Sequence, residues 1–328
     1  MIKKIISIFC IFSVIVLFSA CASTDNAQKE DSSLQIVTTI FPVYDWTNNI
    51  LGDNPSGVQT TMLLDSGVDL HSFQPTTEDM MKISECDLFI YVGGESDDWV
   101  DDALKNTNNK DMIVINLLDA LGDQAREEEL KEGMEAEAHE DVHGEEEEGP
   151  EYDEHIWLSP KNAQALCKVI QEAVVSLDPD NSKTYESNLT AYTEKINELD
   201  GEYAKAIKSS PEKTLLFGDR FPFRYLTEEY GLDYYAAFAG CSAETEASFE
   251  TILFLAKKVD ELGLKNVCTI EGSDQKIAKT IIENTKTKDQ KILTMDSMQS
   301  VTAGDADEGA SWISIMESNL DVIKEALK

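Results

Sequence analysis

Basic residues are few: 27 lysines and arginines stand against 63 acids, a formal net charge of −36 over 328 residues. A chain this acidic repels nucleic acid and anionic lipid, which argues against either as a partner, and it suits attraction of cations. Histidine is scarcer still, with four copies. No two cysteines are spaced C-x-x-C, which argues against a thiolate metal site. Neither an H-E-x-x-H run nor a nucleophile elbow occurs, which weighs against a hydrolase. The N-terminal apolar stretch, residues 5–18, is too short to span a bilayer, which takes about 20 apolar residues.

That stretch follows Lys3 and Lys4 and ends in Phe18-Ser19-Ala20-Cys21. A basic start, an apolar core and small residues before a cleavage point predict an export signal over 1–20. Small residues directly before a cysteine resemble a bacterial lipobox, which implies that Cys21 is acylated and anchors the chain outside the cytoplasm. The other reading is an ordinary signal with an incidental cysteine. Residues 21–33 carry little to pack and read as a tether.

From residue 35 the pattern alternates strand and helix. Strands are expected over 36–40, 58–64, 87–92 and 112–117, and helices over 43–51, 76–83 and 159–177. Residues 126–154 interrupt this with 15 acids against Arg126 and Lys131, plus His139 and His143. Little there fills a core, so the stretch reads as mobile, with some exposed helix over 126–138. Tyr185, Leu189, Tyr192, Ile196, Leu199 and Tyr203 then mark one face of a helix over 182–208. After Pro211 the alternation restarts, with strands over 214–217, 234–238, 267–270 and 291–295 and helices over 222–230, 249–262, 275–285 and 310–327. The fold class is therefore α/β: two similar parallel-sheet lobes, 34–178 and 210–328, joined by one long rigid helix within 179–209. Ligands of such sheets bind at the carboxyl ends of strands, which puts a site in the interlobe cleft.

The histidines fit that geometry. His71 follows the strand over 58–64, and His155 stands where the acidic run meets the fold. Neutral imidazole is the commonest ligand for zinc and its neighbours, with oxygen ligands completing the shell. Glu271, at the end of the strand over 267–270, points to the same cleft. Cys86, Cys167, Cys241 and Cys268 remain once the N-terminal segment is set aside; Cys241 and Cys268 read equally as a disulfide or as buried thiols. Tyr225, Tyr230, Tyr234, Tyr235 and Phe238 read as packing.

Asp69-Leu70-His71-Ser72-Phe73-Gln74-Pro75-Thr76 and Asp153-Glu154-His155-Ile156-Trp157-Leu158-Ser159-Pro160-Lys161-Asn162-Ala163 are long, specific motifs. With the opening strand 36–45, they make the chain resemble the solute-binding proteins of bacterial zinc and manganese ABC transporters, the cluster A-I metal-binding lipoproteins. The resemblance implies two lobes around a long helix, and metal held by His71 and His155. It makes Asp296 a ligand and the acidic, His-bearing loop an accessory zinc collector. Its third ligand, usually His or Glu, aligns with Arg220, which has no acceptor to offer a cation. Asp219 is the neighbour able to substitute, and Glu271 is either a ligand or the partner of Arg220.

The implied function is an extracytoplasmic lipoprotein, not an enzyme and expected to be a monomer, that captures Zn2+ and delivers it to an ABC permease. Manganese is the alternative cargo, and an oxygen-rich set built from Asp219 and Asp296 would favour it. An exported metal-dependent hydrolase with Glu271 as base, and a metal-containing surface adhesin, are alternatives of a different class.

Overall fold

The computed structural model describes residues 33–105, 107–135, 151–242 and 246–328. Cys21, His139 and His143 lie outside the described residues, as do the expected signal and most of the tether. No helix among the described residues is long and apolar enough to cross a membrane.

Two four-stranded parallel sheets form the frame. The first comprises β1 (Gln35–Thr38), β2 (Gln59–Met62), β3 (Leu88–Tyr91) and β4 (Ile113–Asn116), in the order β2-β1-β3-β4. The second comprises β5 (Thr214–Phe221), β6 (Asp233–Ala239), β7 (Asn266–Ile270) and β8 (Lys291–Met295), in the order β6-β5-β7-β8. Both sheets thus repeat one strand permutation. Their central strands are apolar and buried on both faces, as parallel sheets covered by helices require: Leu88, Phe89 and Ile90 are fully buried, and so are Asn266 to Ile270. In each sheet the strand order reverses beside the first strand, which opens a crevice at the carboxyl ends.

The long helix is Ser182–Ser209, 28 residues and about 42 Å at 1.5 Å per residue. Asn181 occupies its N-cap position but makes no side-chain cap bond. Tyr185, Tyr192, Ile196, Leu199, Tyr203 and Ile207 are its buried stripe. Tyr192 donates to Asp45 in the first helix (Phe41–Leu51), and Tyr203 donates to the Met316 carbonyl in the last (Trp312–Ala326). Asp45 also accepts from the Trp312 backbone N–H, while the Trp312 ring meets Trp46 edge-on and its indole N–H donates to the Trp157 carbonyl. One continuous apolar core therefore runs from the first sheet through the long helix to the last helix, with a smaller cluster behind β6 and β7. Residues 33–328 form one compact unit.

Two expectations are corrected. The strand over 214–217 extends to Phe221 through a register shift between Phe217 and Arg220. Gly218 sits at that irregularity, where a Cβ would come within 2.6 Å of the Ala278 Cα; the bulge admits the helix Lys276–Glu283 and re-aims the residues after it. The following helix starts late for the same reason, at Arg224. The described part of the acidic run is not helical. Residues 126–135 form an extended strap that pairs with residues 151–153 and lies against β6. Arg126 N–H donates to the Tyr225 hydroxyl, Arg224 donates to the Glu127 carbonyl, Lys131 pairs with Asp233 at 2.6 Å, and Glu135 N–H donates to the Ala237 carbonyl. Cations and ring hydroxyls of the second lobe satisfy this chain, which composition alone does not reveal.

Candidate metal centre

Loops at the strand carboxyl ends deliver most of the site. His71 follows β2, in a single 3-10 turn, Leu70–Ser72. Asp69 caps that turn: its Oδ1 accepts from His71 N–H at 3.0 Å. Ser96 follows β3, Arg220 ends β5, Cys241 follows β6, Glu271 follows β7 and Asp296 follows β8. His155 instead precedes the 3-10 turn Ile156–Leu158 that feeds the helix Pro160–Leu177, and it is fully buried.

The two imidazoles face each other, with Nε2 to Nε2 3.3 Å apart. Behind each ring stand oxygen atoms. His155 Nδ1 lies 2.9 Å from Asp153 Oδ1, which also accepts from His155 N–H. His71 Nδ1 lies 2.7 Å from Ser96 Oγ and 3.6 Å from Glu154 Oε2, and Glu154 Oε1 accepts from Ser96 N–H. Asp153, an acceptor only, puts the His155 proton on Nδ1 and leaves its Nε2 lone pair free, while Ser96 Oγ can either accept from or donate to His71 Nδ1. The two Nε2 atoms lie within hydrogen-bond distance of each other, and a cation that replaced the shared proton would take both lone pairs. Two nitrogens about 2.0–2.1 Å from one tetrahedral zinc stand about 3.3 Å apart, so the spacing fits that ion.

Among the described residues, one group brings three ligand atoms within 4.8 Å of one another: His71, His155 and Cys241. Asp219, Glu271 and Asp296 do not enter it. Asp219 lines a cavity of about 520 Å3 with His71, Asp69, Arg220 and Glu271, and its buried Oδ2 has no hydrogen-bond partner. Glu271 accepts from Ser297 N–H, Ser297 Oγ and Gln299 N–H. Asp296 Oδ1 accepts from Met298 N–H at 2.7 Å. Arg220 donates to Asp69 Oδ2 at 2.6 Å, so its carboxylate partner is Asp69 rather than Glu271.

Electrostatics favour a cation. Burial, and then the neighbouring His155, push His71 down to about 3, so it is neutral. Burial alone would lower His155 too, but the hydrogen bond and charge of Asp153 raise it overall. Burial lifts Asp69, yet Arg220 outweighs it and holds the carboxyl below its ordinary range. Burial pushes Glu154 up to about 7. Without metal His71 is therefore a neutral donor, while Asp153 draws His155 toward its protonated form, so that a bound cation takes the place of that proton.

Spacing argued against thiolate ligands, yet the structure brings the Cys241 Sγ beside the two imidazoles. Its thiol is free, as is that of Cys268, so the two form no disulfide. Cys241 has no second cysteine nearby in sequence. The long-range path of β6 carries it to the histidines, and Gly240 seats it there: a Cβ on that glycine would sit 3.0 Å from His155 Cε1 and Nδ1. The signal was the position after β6, equivalent to that of His71 after β2. Ser96, Asp153 and Glu154 were likewise missed as backing groups.

Comparison with known proteins agrees with this architecture. The family of zinc-uptake complex component A, periplasmic (ZnuA), matches residues 36–326. The chain is 31% identical over 330 residues to the high-affinity zinc uptake system protein ZnuA of Bacillus subtilis, covering 100% of this chain and 99% of that protein. It is 30% identical over 315 residues to the zinc-binding lipoprotein AdcA of Streptococcus pneumoniae, covering 95% of this chain but only 60% of that relative's length. Among solved structures, the Zn(II)-bound ZnuA-like domain of S. pneumoniae AdcA superposes with a TM-score of 0.68 at 27% identity, over 90% of this chain and 99% of that one. The metal-dependent lipoprotein YcdH from B. subtilis gives 0.71 at 28%, over 90% and 99%. With the family match running over residues 36–326 and the relatives covering nearly the whole chain, this chain belongs to the ZnuA family of zinc-uptake components.

Proposed function

We propose that this protein captures Zn2+ outside the cytoplasm and hands it to an ABC transporter permease, without catalysing a reaction. One observation carries the proposal: two imidazoles face each other with their Nε2 atoms 3.3 Å apart, each with a carboxylate behind it. Zinc is the substrate here. It exchanges water for His71 and His155, and Asp153 and Glu154 hold the rings in the required tautomer. Asp219, with an unbonded oxygen on the wall of the cavity His71 lines, is the carboxylate assigned to complete the shell. Asp296 spends an oxygen on Met298 and stands behind it in this role. A nitrogen-led set favours zinc over manganese. Glu271, the base a hydrolase would need, is held by Ser297 and Gln299 and stays outside the cluster.

Acylation at Cys21 is the proposed anchor, and His139 and His143 are proposed to collect zinc loosely and pass it inward. Both features support supply to a membrane permease. The test is growth of a strain lacking this protein in zinc-depleted medium. Restoration by the wild-type chain, and not by His71→Ala/His155→Ala, is expected. Equal rescue by both would overturn the proposal, as would failure of the wild-type chain to rescue growth.

A further inference from the structure

We propose that Cys241 is a metal ligand, so that zinc is held by two imidazoles and one thiolate. This rests on the zinc-capture reading and sharpens it: it makes the cargo a soft or borderline cation. Three independent features converge on Cys241. Its Sγ belongs to the group of ligand atoms formed with His71 and His155. Its backbone is fixed, since Cys241 N–H donates to Glu128 Oε1 of the strap at 3.0 Å and Gly240 lies flush against His155. The position where a third ligand is expected is filled by Arg220, whose guanidinium is paired with Asp69 and has no lone pair to offer. Cys241 supplies a donor from the loop after β6, which with the Asp219 proposed above makes four.

The other cysteines of the fold are different. Cys86, Cys167 and Cys268 are buried among apolar residues, whereas Cys241 is partly exposed and lines a cavity of about 510 Å3 with Glu128, Glu151, Glu154 and Asp97. That cavity gives a cation an acidic approach to the sulfur. Binding is an exchange: a Zn–S bond forms, the S–H bond breaks, and the proton leaves to solvent, with no change of oxidation state. A thiolate shifts preference toward zinc and away from manganese, which favours oxygen donors.

X-ray absorption at the zinc edge on the full chain loaded with one equivalent of zinc tests this. One sulfur at about 2.3 Å beside nitrogen or oxygen at about 2.0–2.1 Å is expected. Cys241→Ser should lose that sulfur and bind zinc at least about tenfold more weakly, while manganese affinity stays nearly level. Zinc also should shield Cys241 of the wild type from alkylation, a readout that needs no variant. Zinc bound through nitrogen and oxygen alone, with Cys241 alkylated at the metal-free rate, would overturn the thiolate assignment and leave zinc capture standing. A wild-type chain that binds no zinc would overturn both.

Discussion

Asp69 of the first lobe and Arg220 of the second meet at 2.6 Å, and the same carboxylate caps the turn that carries His71. The pair is a charge balance as well as a clasp. Asp69→Asn keeps an acceptor for His71 N–H but leaves Arg220 as an unopposed cation beside the metal. Zinc affinity is expected to fall about tenfold. Adding Arg220→Met to that variant should restore part of the loss, because the repulsive charge is then gone. Competition titrations against a zinc indicator measure both. An additive double variant, with no recovery, would contradict the charge-balance account.

Asp153 acts on zinc only through His155. Asp153→Asn removes the charge and replaces one acceptor oxygen with an NH2 donor, which can bond the Nδ1 lone pair and push the ring proton to Nε2. A loss of about 10–100-fold in zinc affinity is expected, with stoichiometry unchanged. Isothermal titration reports both numbers. Affinity within twofold of wild type would mean that the hydrogen bond to Nδ1 does not set the tautomer.

Asp97 gives a pH signature in the metal-free protein. Its Oδ2 accepts from Val92 and Gly93 N–H, yet burial lifts it to about 7 against an ordinary 3.8. The folded state therefore keeps a proton that the unfolded chain gives up. Stability from this group is complete below about pH 4 and declines as pH rises through about 7. Asp97→Asn lacks that decline, so its melting temperature relative to wild type should climb steadily from pH 4 to 7 in chelator. A difference independent of pH would refute it.

Trp312 locks the last helix against the long helix and the first lobe. Trp312→Ala removes a fully buried indole and orphans the Trp157 carbonyl. A cost of about 3–5 kcal/mol is expected, on the order of 10 °C in Tm for a chain of this size. Thermal melts by circular dichroism check this, and a shift under about 2 °C would show that the core does not run through this contact.

Periodicity made the frame legible. The stripe from Tyr185 to Tyr203 marked the long helix within a residue or two, and apolar runs located all eight strands. Within the site, His71 and His155 were legible because histidine is scarce and motif context is long. Cys241, Ser96 and the Asp69–Arg220 pair were not, because each depends on loops from separate strands meeting in space. The strap over 126–135 was misread because its side chains find partners on the second lobe, as in Lys131–Asp233 and Glu128 with the Cys241 N–H, which no local pattern encodes.

The central claim is that one tight zinc ion is held between His71 and His155. Zinc titration of the full chain against a high-affinity chelator, compared with His71→Ala/His155→Ala, tests it directly. One tight equivalent in the wild type and none in the double variant is the predicted result; an equally tight equivalent in both would contradict it.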